Sequence, residues 1–126
     1  MGKILVADDE ADMRALLADL LEEAGHVVIE AENGQVAVQQ IQQEVPDLVL
    51  LDVLMPMMSG IQVLQRLRNN PATKSLPVIM ITAFSLSDKE NEILETPFTY
   101  HVAKPWRRAA VESAVSAALA LTSGVS

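Results

Sequence analysis

Residues 48–60 read LVLLDVLMPMMSG: four aliphatic side chains in a row, an aspartate, then a methionine-rich stretch that runs through Pro56 to Gly60. A segment that is apolar at every position, not at every second one, is how a strand covered on both faces reads. Leu48–Leu51 is therefore predicted as a central strand, with Asp52 as the polar residue at its carboxyl end. Met55–Met58 is read as loop packing, and Pro56 and Gly60 as the residues that fix the turn.

The same pattern recurs on either side. Apolar runs appear at Ile4–Ala7, Val27–Ala31, Val78–Ile81 and around Tyr100–Ala103. Between them lie segments with helical spacing. Met13, Leu16, Leu17, Leu20, Leu21 and Ala24 form one stripe, with Gly25 where a helix stop is expected. Val36, Ala37, Ile41 and Val45 suggest a second helix between the Asn33-Gly34 turn and Pro46. Ile61, Val63, Leu64 and Leu67 suggest a third, Asp88–Glu95 a short charged fourth closed by Pro97, and Arg107–Leu121 a fifth. Five strands alternating with five helices imply a parallel α/β sheet covered on both sides, and right-handed crossovers leave few windings for it. No repeat, linker or low-complexity segment divides residues 1–126, so they are read as one domain.

Composition narrows the function. The 126 residues carry 17 acidic and 9 basic side chains, a formal charge of −8. Nucleic-acid binding needs a basic footprint, which the short basic pairs here do not supply. No apolar run is long enough to span a bilayer, and the start, MGKILVADDE, lacks the features of a signal peptide. The expectation is a cytoplasmic protein without membrane or nucleic-acid partners. Cysteine is absent, which excludes thiol chemistry, and two histidines, His26 and His101, are too few for a histidine-rich zinc site.

The polar residues at the strand ends form a set. Asp8 and Asp9 follow the first strand, Asp52 the third, Thr82 the fourth and Lys104 the fifth. In an open parallel sheet the carboxyl ends share one edge, where such folds hold their ligands. Two carboxylates about 4 Å apart repel by roughly 4 kcal/mol at an effective dielectric near 20, so three of them hold protons or recruit a cation. Mg²⁺ fits, because it takes oxygen ligands, keeps waters and accepts phosphate oxygens. The Lys104 ammonium and the Thr82 hydroxyl suit phosphoryl oxygens.

The segments ILVADDE, LVLLDVLMPMMSG, VIMITA and VAKPW, in this order and spacing, resemble the four signature blocks of response-regulator receiver domains over essentially the whole chain. The resemblance implies a flavodoxin-like doubly wound, three-layer sandwich with strand order 2-1-3-4-5. It also implies a phosphoacceptor in a two-component phosphorelay, with no enzymatic activity beyond Mg²⁺-dependent self-phosphorylation from small donors and self-dephosphorylation. Asp52 would take the phosphoryl group from a histidine kinase or a histidine phosphotransfer protein. Mg²⁺, or Mn²⁺ in its place, would be bound directly by Asp9, through water by Asp8, and by Asp52 and the backbone carbonyl of Leu54. Thr82 and Lys104 would grip the phosphoryl oxygens, and the Lys104–Pro105 bond would be cis. A downstream protein would read the face made by the Asp88–Glu95 helix, the last strand and the last helix.

Three features depart from that pattern or go beyond it. The aromatic switch position three residues before the lysine is His101, with Tyr100 beside it; His101 is expected either to act as the switch or to be a solvated edge histidine. Leu94–Tyr100 replaces the usual Gly- and Ala-containing turn, so the partner of this face does not follow from relatives. After Glu112 the last helix carries no charge, and its small apolar residues are expected to meet a second protomer or a neighbouring domain, unless alanine serves there simply as a helix former. Trp106 is read as an aromatic cap on the core. Because the chain ends shortly after this helix, without room for an effector, it is expected to act by protein contact or as a piece of a larger regulator.

Other readings are a receiver fold that docks without phosphorylation, a flavodoxin-like cofactor binder and a phosphatase using Asp52. The cofactor binder would need a phosphate-cradling loop, where Ala7–Ala11 offers acid and no glycine. The phosphatase would need an acid where Leu54 stands.

Overall fold

Along the central strands the side chains alternate between two cores. Leu5, Ala7, Val49, Leu51, Val53, Val78 and Met80 enter one apolar cluster, while Ile4, Val6, Leu48, Leu50, Ile79 and Ile81 enter another. Period-two alternation with apolar residues at both phases requires cover on both faces. The computed structural model, which describes residues 2–82 and 97–122 (the last two by backbone alone), provides it. The strands are β1 (Lys3–Ala7), β2 (Val27–Ala31), β3 (Leu48–Asp52), β4 (Val78–Thr82) and β5 (Thr99–Ala103). All neighbours pair in parallel, in the order β2-β1-β3-β4-β5.

Among the described residues there are four helices: α1 (Ala11–Glu23), α2 (Gly34–Gln43), α3 (Gly60–Arg68) and α4 (Arg108–Thr122). Leu17, Leu20 and Leu21 of α1 and Val111, Val115 and Ala118 of α4 cover one face. Ala37, Val38 and Ile41 of α2 and Ile61, Val63, Leu64 and Leu67 of α3 cover the other. Each fully buried aliphatic side chain contributes about 1.5–3 kcal/mol, so both layers are held chiefly by these stripes. The helix expected at Asp88–Glu95 lies outside the described residues. Val45, assigned to the second helical stripe, falls beyond the end of α2 and is 47 % exposed.

Local chemistry sets the helix ends. Asn33 accepts from the Val36 amide, and Ser59 forms a reciprocal capping box with Gln62. After α1 the chain turns through Gly25 at φ 95°, a left-handed conformation that glycine adopts without a Cβ clash. Gly60 answers a different demand. Its amide donates to the Val53 carbonyl at 2.9 Å, and a Cβ there would lie 2.3 Å from the Asp52 carbonyl oxygen and 3.0 Å from the Val53 Cα. The start of α3 thus packs directly on the backbone of the β3 end.

Since that neighbour is backbone, Gly60→Ala has no flexible group to displace. The substitution is expected to destabilise the fold by about 2 kcal/mol or more, within the usual cost of overpacking. Urea unfolding measures it directly; a loss below about 0.5 kcal/mol would show that the contact yields easily.

Candidate functional site

The carboxyl edge of the sheet gathers side chains from β1, β3, β4 and β5. Asp8 leaves β1 and is 1 % exposed, Asp52 ends β3 at 3 %, and Thr82 ends β4 at 9 %. Buried carboxylates require partners. Asp8 Oδ1 accepts from the Glu10 amide at 2.8 Å. Asp52 Oδ1 accepts from the Leu54 amide at 3.2 Å, and Asp52 Oδ2 accepts from Lys104 Nζ at 3.0 Å. Lys104 is itself fixed through its backbone, whose amide donates to the Thr82 carbonyl at 2.6 Å. The Lys104–Pro105 peptide is cis.

Asp8, Glu10 and Asp52 each place a carboxylate oxygen within 4.8 Å of the others, an arrangement able to hold a metal ion. Asp9 is exposed and is not one of this trio. The difference arises in the short exit from β1 to α1. The bond from the Glu10 amide folds Asp8 back over its own turn, while Glu10, the N-cap residue of α1, makes no side-chain capping bond and stands beside the buried acids. The sequence pattern of strand ends points to Asp8 and Asp9 and passes over Glu10, for which the acidic run Asp8-Asp9-Glu10 is the signal.

The electrostatics follow from burial and like charge. Carboxylate oxygens within 4.8 Å of one another, as in Asp8, Glu10 and Asp52, repel by at least roughly 3–4 kcal/mol per pair of charges at an effective dielectric near 20. Burial, reinforced by the charges of Asp52 and Asp9, pushes the Asp8 carboxyl up to about 6, against the opposing pull of the Glu10 amide and Lys104. For Lys104 burial acts downward, but the hydrogen bond it donates to Asp52 and the charges of Asp52, Asp8 and Glu10 outweigh it and hold the ammonium above its usual range. The set is therefore an anionic, oxygen-rich cleft with one fixed cation.

Of the other residues expected to matter, Leu54 is 65 % exposed in the loop after β3. His101 is exposed on edge strand β5, and Tyr100 beside it packs against the α1–α4 core, as does Trp106.

The sequence profile of the response regulator receiver domain matches residues 4–116, nearly the length of the chain and all of this edge. The chain belongs to the response regulator receiver family. Among curated relatives, the receiver is 41 % identical over 107 residues to the phosphate regulon transcriptional regulatory protein PhoB of Pseudomonas aeruginosa, covering 84 % of this chain and 47 % of that protein. It is 40 % identical over 82 residues to Protein PilH of the same organism, covering 65 % and 68 %. Among solved structures, the signal receiver domain of a signal transduction histidine kinase from Syntrophus aciditrophicus superposes with a TM-score of 0.90 at 29 % identity, covering 100 % and 96 %. The Vibrio cholerae chemotaxis protein CheY4 gives 0.85 at 27 %, covering 94 % and 99 %. The receiver spans about half the length of PhoB. No described helix is long and apolar enough to cross a membrane.

The strain in this receiver's acidic edge is measurable. With a folded pKa near 6 against 3.8 when unfolded, Asp8 favours the protonated native state, so its contribution to stability falls as pH rises from about 4 to above 6. In chelator at pH 7.5, Asp8→Asn is expected to be more stable than the wild type by on the order of 1–3 kcal/mol. The gap closes as pH falls from 6 toward 4. Denaturant unfolding across that range is the check, and an Asn variant no more stable than the wild type at pH 7.5 would contradict it.

Proposed function

We propose that residues 1–126 act as a single receiver that carries a phosphoryl group on Asp52, donated by the phosphohistidine of a histidine kinase or phosphotransfer protein. A carboxylate oxygen of Asp52 attacks phosphorus, the phosphorus–nitrogen bond of the donor breaks, and the imidazole leaves with the electron pair. The single observation that carries this reading is the placement of Asp52: a nearly buried carboxylate paired with an ammonium at 3.0 Å and flanked by two further acids. A carboxylate held only for stability would not be set among others that repel it.

Each neighbour has a part. Lys104 holds the Asp52 oxygen now and would shift its hydrogen bond to a phosphoryl oxygen as charge moves outward. Thr82, buried at the adjacent strand end, would donate its hydroxyl to another oxygen. Asp9 directly and Asp8 through water, with Asp52 and the Leu54 carbonyl, would hold Mg²⁺ or Mn²⁺, and Glu10, whose carboxylate lies with those of Asp8 and Asp52, offers a further oxygen. When bound, the ion supplies charge neutralisation for the transferring group. Phosphoryl transfer needs positioning and charge balance more than covalent help, and these groups supply both.

The added charge would be read through Thr82 and the exposed edge at His101, the switch residue of this proposal. The outward side of α4, where Ala109, Ala110, Ser113, Ser116 and Ala117 are exposed, supports a contact with a second protomer or a neighbouring domain.

Incubation with acetyl phosphate and Mg²⁺ followed by intact-mass measurement tests the central step. One added phosphoryl mass is expected, absent in Asp52→Asn and without Mg²⁺, and strongly reduced in Lys104→Met. An adduct that persists in Asp52→Asn, or none in a wild-type protein shown to be folded, would overturn the proposal.

A further inference from the structure

A second concavity lies away from the acidic edge, where the carboxyl-terminal ends of α2 and α3 diverge. It encloses about 370 Å³, and its lining includes Val38, Ile41, Val45, Leu67, Arg66 and Asn70. That volume falls in the range of about 300–1,000 Å³ typical of sites for small organic ligands, which are mostly apolar with a few placed polar groups. Val38, Ile41 and Leu67 form the greasy floor, and Val45 is left 47 % exposed at its rim.

Three observations give this cavity a chemical preference. The molecule carries −8 overall, yet α2 with its cap Asn33 has no charged residue, and Val53–Thr82 contains Arg66, Arg68 and Lys74 with no acid at all. Glu44, next to the lining residue Val45, is taken up by Lys3, so the charged group in the cavity lining itself is the Arg66 cation. Among the described residues no ion pair involves Arg66, whereas Arg14, Arg108, Lys3 and Lys104 all have carboxylate partners. The far wall is also rigid. Arg68 donates to the carbonyls of Thr73, Lys74 and Leu76 at 3.3, 3.3 and 2.8 Å, and Thr73 Oγ1 donates to the Leu67 carbonyl at 2.7 Å. The cavity is therefore formed before any ligand arrives, which lowers the ordering cost of binding.

We propose that this α2–α3 cavity is a binding site for a small amphiphilic monocarboxylate. The apolar body sits on Val38, Ile41, Val45 and Leu67, and the carboxylate pairs with Arg66, whose guanidinium fork matches it. The site stands apart from Asp52 and does not depend on the phosphoacceptor reading. Its place on the layer that packs against the β3–α3 junction gives a bound acid a route to influence the loop after Asp52.

The probe is octanoate, titrated into the ¹⁵N-labelled full chain and followed by amide chemical shifts, with octanol and octylammonium as uncharged and cationic controls. Saturable octanoate shifts clustered over residues 38–45 and 66–73 are expected, with octanol weaker and octylammonium weakest. Arg66→Gln should weaken octanoate several-fold, up to about fivefold for an exposed ion pair, and leave octanol unchanged. Val45→Asp, at an exposed position that need not disturb folding, should weaken both. Octanol binding as tightly as octanoate, an unchanged octanoate affinity in Arg66→Gln, or shifts that never saturate or cluster elsewhere would each overturn the proposal.

Discussion

The contact on which this structure turns is the 3.0 Å bond between Lys104 Nζ and Asp52 Oδ2. It is a partly buried ion pair, and such pairs are poor sources of net stability because desolvation offsets their attraction. Removing the ammonium would leave Asp52 buried beside Asp8 and Glu10 with nothing to balance three like charges. Lys104 thereby makes the acidic cluster tolerable without neutralising it. The surplus negative charge that remains is what an incoming cation or phosphoryl group would relieve.

The rest of the fold positions that contact. β1, β3 and β4 are buried on both faces and β5 is laddered to β4 at the edge, so the three strand ends and the β5–α4 turn keep a fixed spacing. Gly60 lets α3 start against the Asp52 carbonyl, and the Thr82 carbonyl holds the backbone of Lys104. The precision of the site comes from neutral packing and main-chain bonds, which outweigh the repulsion among the acids. Function here is a local cost carried by a stable scaffold.

The architecture was legible in the sequence because burial on both faces writes itself as unbroken aliphatic runs. β2 matched its predicted bounds and the other strands differ by a residue or so, since Lys3, Asp52, Thr82 and Thr99 continue the ladders while being polar. The convergence of Asp8, Asp52, Thr82 and Lys104 on one edge was also readable, because strand ends in a parallel sheet leave little choice of side. What the sequence could not resolve was direction within Asp8-Asp9-Glu10. Three consecutive acids are equivalent on paper, and the turn made by the Glu10 amide on Asp8 buries that one carboxylate while Asp9 and Glu10 stay exposed. Val45 was misplaced for a related reason: its spacing fits the α2 stripe, but the helix closes at Gln43 before reaching it.

The decisive measurement is a crystal structure of the complex with Mg²⁺ and beryllium trifluoride, an unreactive stand-in for the phosphoryl group. Beryllium is expected on an Asp52 carboxylate oxygen, with Lys104 Nζ turned from that carboxylate onto a fluorine and the ion among the carboxylates at the ends of β1 and β3. Beryllium absent from Asp52 while the Lys104–Asp52 bond stays closed, at saturating ligand, would contradict it.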